Sequence, residues 1–339
     1  MATWVALDAM GGDFAPQATI EGALLALKEF SDLGIYLVGQ PEALIPLLKR
    51  KKYKRLEIVP ASQVVAMDES PIGALRSKHD SSIRKAFDLV KEGQAHALVS
   101  AGNSGAVLAT ALFVLGRVKG VSRPAIATVL PTMKGNAVMI DSGANVDCKP
   151  HHLLQFAHMG MVFCREILGV SLPKVGLLSI GEEGGKGNTL VKRAHQLLSQ
   201  SRLNYVGNVE GRDIYRGDVD VIVCDGFVGN ICLKLSEGLA EALMSMMAQE
   251  IQKYRLAQLG FSFAKKALRQ FKTRIDWRER GGAPLLGVKG VVIISHGRSD
   301  ARAIKNALGT ALGFVKENVL ENLAEALENL PTALAGEER

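Results

Sequence analysis

Aromatic side chains are scarce in this chain of 339 residues, at 5%, and no zinc-finger spacing or RNP-like aromatic run accompanies them. The usual platforms for nucleic-acid bases are therefore missing, and no nucleic-acid partner is expected. Uncharged apolar runs are also short, and none reaches the roughly 18 residues that a membrane span needs. Met1 to Val5 already reads as a strand, without the basic region and apolar core of a signal peptide. These absences predict a soluble, cytoplasmic protein. Cysteine is rare, and Cys148, Cys164, Cys224 and Cys232 show neither C-x-x-C pairing nor zinc spacing. The thiols are expected to be reduced, and no internal repeat or low-complexity segment appears.

What the chain has in quantity is glycine at the ends of apolar runs. Val5-Ala6-Leu7 breaks into Asp8 to Asp13 with Gly11 and Gly12, and Ala97-Leu98-Val99 into Ser100 to Gly105 with Gly102 and Asn103. Ala137 to Ile140 breaks into Asp141 to Asp147, Val175 to Ile180 into Gly181 to Asn188, and Val221 to Cys224 into Asp225 to Asn230. Short apolar runs separated by helical periodicity read as parallel strands buried on both faces. Glycine at their exits permits a sharp turn that presents N–H groups, and a following helix N-terminus adds positive potential, so anions gather there. Five such exits converging on one crevice suggest a phosphate-handling enzyme.

The coarse order alternates accordingly. Helices are expected at Pro16 to Phe30, Glu42 to Lys49, Ser81 to Lys91, Ala106 to Leu115, Pro150 to Leu168, Lys186 to Ser199, Asn230 to Leu256 and Ala301 to about Leu330. Further strands are expected at Ile35 to Val38, Leu56 to Pro60 and Gly290 to Ser295, with a hairpin of Ala125 to Leu130 and Ala137 to Ile140 around Thr132 to Asn136. The predicted fold is an open, mostly parallel α/β sheet with helices on both faces. It forms a single large domain over 1–339, which two lobes around a central cleft would also fit, with a protruding helical hairpin at about 236–280.

The net charge of +7 concentrates at Lys49 to Arg55 and Lys253 to Arg280, which implies an acidic partner. In the second segment Gly260 breaks the helical pattern, so Leu259, Phe261 and Phe263 are expected at a connection. Beyond it Ala264, Ala267, Leu268, Phe271 and Ile275 share a face, while Lys265, Lys266, Arg269, Lys272 and Arg274 lie largely elsewhere. An apolar tip flanked by cations suits peripheral contact with an anionic membrane, and packing against the body or a dimer mate accounts for it equally.

Standard nucleotide motifs fail. Gly181, Gly185 and Lys186 give one residue too few for a Walker A loop, and Gly185 and Gly187 lack the third glycine of a Rossmann fingerprint. Gly102-Asn103-Ser104-Gly105-Ala106 approximates a nucleophile elbow, with Asp225 and His296 following in hydrolase order, so a Ser104-based hydrolase is a competing expectation.

Taken together, Ala6 to Pro16, Ser100 to Ala106, Arg123 to Ile126, Asp141 to Asn145, Gly226 to Asn230 and Ser295 to Gly297 resemble the bacterial phosphate acyltransferase (PlsX) family, in its order and over essentially the whole length. Arg298-Ser299-Asp300 departs from the smaller polar residues expected after His296-Gly297. The resemblance implies attack of inorganic phosphate on the thioester of acyl carrier protein, giving acyl phosphate for phospholipid synthesis through a membrane glycerol-phosphate acyltransferase. It also implies a fold similar to phosphotransacetylases and the isocitrate/isopropylmalate dehydrogenases, and a homodimer. A metal- and NAD-dependent hydroxy-acid dehydrogenase of similar fold competes with this reading, as does a catalytically idle scaffold that binds the carrier or a membrane.

Phosphate is already a good nucleophile and a thiolate leaves readily, so positioning and charge neutralisation carry most of such a reaction. Lys186 with Gly185, Gly187 and its other loop N–H groups is expected to neutralise phosphate, helped by Gly11, Gly12, Gly102, Asn103, Ser104 and Gly105. Asn145 or Asn188 is expected to donate to the thioester oxyanion, and His296 to protonate the sulfur, with Asn230 nearby. Asp8, Asp13, Asp141, Asp147 and Asp225 would repel phosphate, so capping and loop bracing are their expected work. No metal or cofactor is expected, although these carboxylates could instead hold a divalent ion. His151, His152 and His158 are expected to be core or surface residues.

Overall fold

The computed structural model describes residues 2–49, 51 and 53–328, with side chains at 255–262 and 277 outside that description. In chain order the strands and helices are β1 (Thr3–Asp8), α1 (Gln17–Glu29), β2 (Leu33–Gly39), α2 (Pro41–Leu47), β3 (Leu56–Pro60), α3 (Pro71–Ser77), α4 (Ser82–Lys91), β4 (Ala97–Ser100) and α5 (Ser104–Val114). There follow β5 (Ala125–Pro131), β6 (Asn136–Ile140), α6 (Pro150–Leu168), β7 (Val175–Leu178), α7 (Thr189–Ser199), β8 (Tyr205–Val209), β9 (Val221–Val223) and α8 (Gly226–Lys253). The last are α9 (Arg255–Ile275), β10 (Ala283–Leu286), β11 (Val291–Ile294), α10 (Ala301–Lys316) and α11 (Val319–Glu328).

Among the described residues one sheet holds eleven strands in the order β3-β2-β1-β4-β11-β10-β5-β6-β9-β7-β8. Alternation along β1 shows why both faces are covered. Val5 and Leu7 enter one core with Ile20 and Ala23 of α1 and Ile304 and Leu308 of α10. Ala6 between them enters a second core with Phe87 of α4 and Val107 and Ala111 of α5. Gly22 lets α1 and α10 approach, because a Cβ there would stand 2.6 Å from the Cβ of Ile304.

The middle of the sheet sets the site. β1, β2, β3, β4 and β11 are mutually parallel, and β10 runs against both β11 and β5. β5 in turn runs against β6, whose parallel block is completed by β9, β7 and β8. The exits of β1, β4 and β11 therefore face one end of the sheet and those of β6, β7 and β9 the other. Convergence of five exits on one crevice, as expected from the sequence, assumed a single strand direction, and the antiparallel joints in mid-sheet reverse it.

The expected helices and strands are present, with shifts at their ends. The terminal helix divides into α10 and α11 at Asn318, which takes φ +49°, a left-handed conformation that asparagine tolerates. α9 runs through Gly260, so the connection falls at Tyr254 rather than at Gly260. A helix interior absorbs one glycine at a cost of about 1 kcal/mol. Leu259 and Phe261 thus belong to the first half of α9, and their side chains lie outside the described residues. Phe263 is 92% exposed.

Candidate active site

A cavity of about 1170 Å³ lies between α8, α9 and the face of the two central strands β5 and β10. Its lining joins both ends of the sheet: Gly102, Ser104, Ser295, His296 and Gly297 from one, Ser142, Gly143 and Asn230 from the other. The first group is one packed cluster. Asp13 N–H donates to Gly297 O at 2.8 Å, and a Cβ on Gly11 would stand 2.6 Å from the Gly102 nitrogen, so this loop must keep glycine. Gly12 takes φ +104° beside the Gly297 carbonyl. Gly11, Gly12 and Asp13 thus back the cavity wall.

Beneath them the Asp8 carboxylate is fully buried, accepting from Ser100 Oγ at 2.7 Å and Met10 N at 3.3 Å. Burial raises its pKa against these bonds. Asn103 caps α5, its Oδ1 accepting from Ala106 N at 3.0 Å, while its Nδ2 donates to Met67 O and Glu69 O. That amide braces the segment leading into α3, and the absent Cβ of Gly105 leaves room for Pro71, 2.7 Å away. Ser104, the first residue of α5, is left to face the cavity.

At the opposite end the carboxylates also act on the backbone. Asp141 accepts from the N–H groups of Ile126, Gly143, Ala144 and Asn145 and from Asn145 Nδ2, at 2.7 to 3.1 Å. Asp225 caps α8 through Phe227 N and Val228 N. Burial raises the pKa of Asp141, the N–H donors opposing it. Asn145 is buried and spends its amide on Pro124 O and Asp141, so it is not placed to donate to a thioester oxyanion.

The β7 exit stands apart. Lys186, Gly185 and Asn188 are exposed and do not line the cavity, nor does Gly187 at φ +96°. Asn188 Oδ1 caps α7 by accepting from Val191 N at 2.9 Å. Among the cations that line the cavity, which include Lys272, Arg274, Arg278 and Arg280, the one beside His296 is Lys234, one turn past Asn230 on α8. Its Nζ lies 2.9 Å from His296 Nε2 and 3.1 Å from Glu237 Oε2. Burial, then Lys234, lowers the His296 pKa below its ordinary 6.5. Sequence reasoning missed Lys234 because nothing local marks it; only the crossing of α8 over the β11 exit does.

The Ser–Asp–His order is not assembled into a relay, since Asp225 caps α8 and His296 meets Lys234. Burial pushes the Cys148 thiol up to about 12, with Asp141 and Asp225 adding to the shift, which leaves it a poor nucleophile. Among the described residues no three His, Cys, Asp or Glu side chains gather as a ligand set.

His151 and His152 are buried in α6, edge to face at 4.3 Å. Burial, then His151, Arg123 and Lys149, lowers His152 to about 4. An unfolded histidine takes its proton near 6.5 while the folded one resists, so this residue's stability contribution falls as pH drops from about 6.5 to 4. His152→Gln is expected to flatten that part of the curve of unfolding free energy against pH by on the order of 2 kcal/mol, after discounting for partial solvation. An unaltered slope would contradict the assignment.

The family model described as "Fatty acid synthesis protein" matches residues 3–322. The chain belongs to this family. A phosphate acyltransferase of Pelotomaculum thermopropionicum is 52% identical over 333 residues, covering 98% of this chain and 97% of the relative. One of Heliobacterium modesticaldum is 53% identical over 324 residues, covering 95% and 96%. The family member described here is accordingly an acyltransferase enzyme. Among solved structures, a phosphotransacetylase from Streptococcus pyogenes shares the fold at TM-score 0.58 and 16% identity, covering 97% of this chain and 95% of that one. A branched-chain phosphotransacylase from Enterococcus faecalis V583 does so at TM-score 0.57 and 15% identity, covering 92% and 99%.

Proposed function

We propose that the protein moves a long-chain acyl group from the thioester of acyl carrier protein to inorganic phosphate, releasing acyl phosphate and free carrier for phospholipid synthesis. The observation that carries this reading is one cavity combining an α5 N-terminus, the Lys234–His296 pair and a long apolar stretch. Phosphate sits between the N–H groups that open α5 at Ser104 and Gly105 and the Lys234 ammonium, where dipole and charge both favour an anion. One of its oxygens attacks the thioester carbon, the carbonyl oxygen gains charge, and the carbon–sulfur bond breaks to a thiolate. The carrier thiolate takes its proton from solvent, because a neutral His296 ring is too weak an acid to supply it. The test is incubation with acyl carrier protein thioester: carrier release that rises with phosphate supports the reading, and release independent of phosphate ends it.

The basic face of α9 serves the acidic partners in this scheme. Lys265, Lys266, Arg269 and Lys272 are exposed, as is Phe263 near them. Arg274 also braces the β5–β6 hairpin by donating to Thr132 O at 2.7 Å and Met133 O. Reversing Lys265, Lys266 and Arg269 to glutamate is expected to raise the carrier KM at least tenfold or to abolish cosedimentation with phosphatidylglycerol vesicles. Unchanged values in both would leave α9 a packing element. Such contact would place the enzyme at the cytoplasmic membrane surface, within reach of a glycerol-phosphate acyltransferase.

A homodimer fits an exposed face of α8, three leucines of which also border the cavity. Ile231, Leu235, Leu239, Leu243 and Met246 follow helical spacing and are each 50 to 70% exposed, an apolar stripe that water does not favour. Sedimentation is expected to report two copies, with Leu239→Asp giving one; a monomeric wild type would refute it.

A further inference from the structure

α8 turns a run of apolar residues toward the cavity. Leu233, Ala240 and Met244 are half-buried and line the cavity, and the more exposed Leu235, Leu239 and Leu243 border it as well. Across from them stand Val129 and Leu130 of β5 and Ile275 of α9. At about 1170 Å³ the space exceeds the roughly 300–1,000 Å³ usual for a small ligand. Lys234 and His296 stand near the start of the α8 lining and Met244 ten residues, about 15 Å, further along the helix, while Lys272, Arg274, Asp276, Arg278 and Arg280 add charge from the segment that follows α8. The acidic side chains in the lining meet cations: Glu237 with Lys234 at 3.1 Å, Glu241 with Arg298 at 3.5 Å and Asp276 with Arg278 at 2.8 Å.

We infer that this trough holds the acyl chain of the thioester, extended along the apolar lining of α8, and that Ala240 and Met244 set the chain length accepted. The inference rests on the proposed acyl transfer and adds the location of the chain. Phosphate and a carrier's polar arm gain nothing from apolar walls, whereas an alkyl chain leaving water gains with every methylene buried. Continuity of the trough with the Lys234–His296 end puts the carbonyl of such a chain beside the groups that act on it. Ala240, the smallest residue of the α8 lining, leaves the middle of the trough open, and the thioether of Met244 adapts to a chain end.

Ala240→Phe would fill that middle. For a palmitoyl thioester, three methylenes denied burial at about fourfold each, the equivalent of about 0.8 kcal/mol per CH2, lower kcat/KM on the order of 50-fold. A butyryl thioester, too short to reach Ala240, should lose less than threefold, which also shows that the variant folds. Met244→Ala should raise the palmitoyl-to-butyryl ratio or leave it within twofold, never lower it tenfold. An Ala240→Phe ratio within twofold of wild type overturns the placement, as does a change in sedimentation alone, which would mean that a second copy fills the trough. If wild type consumes neither thioester, acyl transfer fails rather than the trough. Titration with the fluorescent long-chain fatty acid parinaric acid then decides, with binding weakened at least tenfold by Ala240→Phe supporting the trough and equal binding overturning it.

Discussion

Lys234→Ala is expected to lower kcat/KM about 100- to 1000-fold, the usual loss when one preorganised charge or donor is removed from a developing anion. Both nitrogens of His296 face donors: Arg298 N–H at 3.1 Å from Nδ1 and Lys234 Nζ at 2.9 Å from Nε2. An imidazolium would set N–H against N–H on both sides, which with burial keeps the ring neutral. A neutral ring has one lone pair for these two donors, so one donor is left poorly matched until an anion arrives. A phosphate oxygen taking the Lys234 hydrogen relieves this. Lys234→Ala also removes a like charge, so the His296 pKa rises toward 6.5 and the acid limb of the pH–rate profile moves to higher pH. Lys234→Arg should retain more activity than Lys234→Ala, while Lys186→Ala, altering an exposed loop away from the cavity, should change phosphate KM less than threefold. The reverse order of the two lysines would return the phosphate site to the β7 exit.

The largest stability loss is expected where α8 meets the β6 exit. Asp141→Ala leaves four backbone N–H groups and the Asn145 amide without their acceptor. Relief comes from no longer burying a carboxylate whose pKa is raised by that burial. Five donors at about 1 kcal/mol or more each outweigh it, giving a net loss of about 3–5 kcal/mol and a Tm lower by about 4–7 °C. Gly229→Ala strikes the same junction from the helix side, because its Cβ would stand 2.0 Å from Asp141 O and 2.9 Å from Cys224 Sγ. The contact is with backbone, which cannot swing aside, so α8 must shift and the cavity with it. Differential scanning calorimetry of both variants checks this, and a Tm within 2 °C of wild type for either would show that the junction is not held as described.

Much of this architecture was legible in the residues. Runs such as Val5-Ala6-Leu7 and Val221-Ile222-Val223 read as strands because both faces are covered, and Asp225 caps as expected, whereas Asn188 and Asn103, expected to contact substrate, cap α7 and α5. Less visible were short elements held by tertiary packing. α3 begins at Pro71 in a segment of modest periodicity, and β10 is four residues, APLL, that extend only because β11 and β5 flank them. That hidden strand had the greatest consequence. With β10 and the reversal between β5 and β6 it turns half the exits away, which separates Lys186 from His296 and leaves Lys234, a residue with no motif, beside the ring. Asn103 and Asn145 carried the right chemistry for donors, but their amides are committed to backbone carbonyls and, for Asn145, to Asp141, and composition does not report where a side chain's bonds are spent.

The most direct test of the central claim is a sulfate soak of crystals, with sulfate standing in for inorganic phosphate. The account predicts an anion held by the N–H groups at the start of α5 and by Lys234, displaced by phosphate and absent in Lys234→Ala. Density beside Lys186 with none at α5 would contradict it.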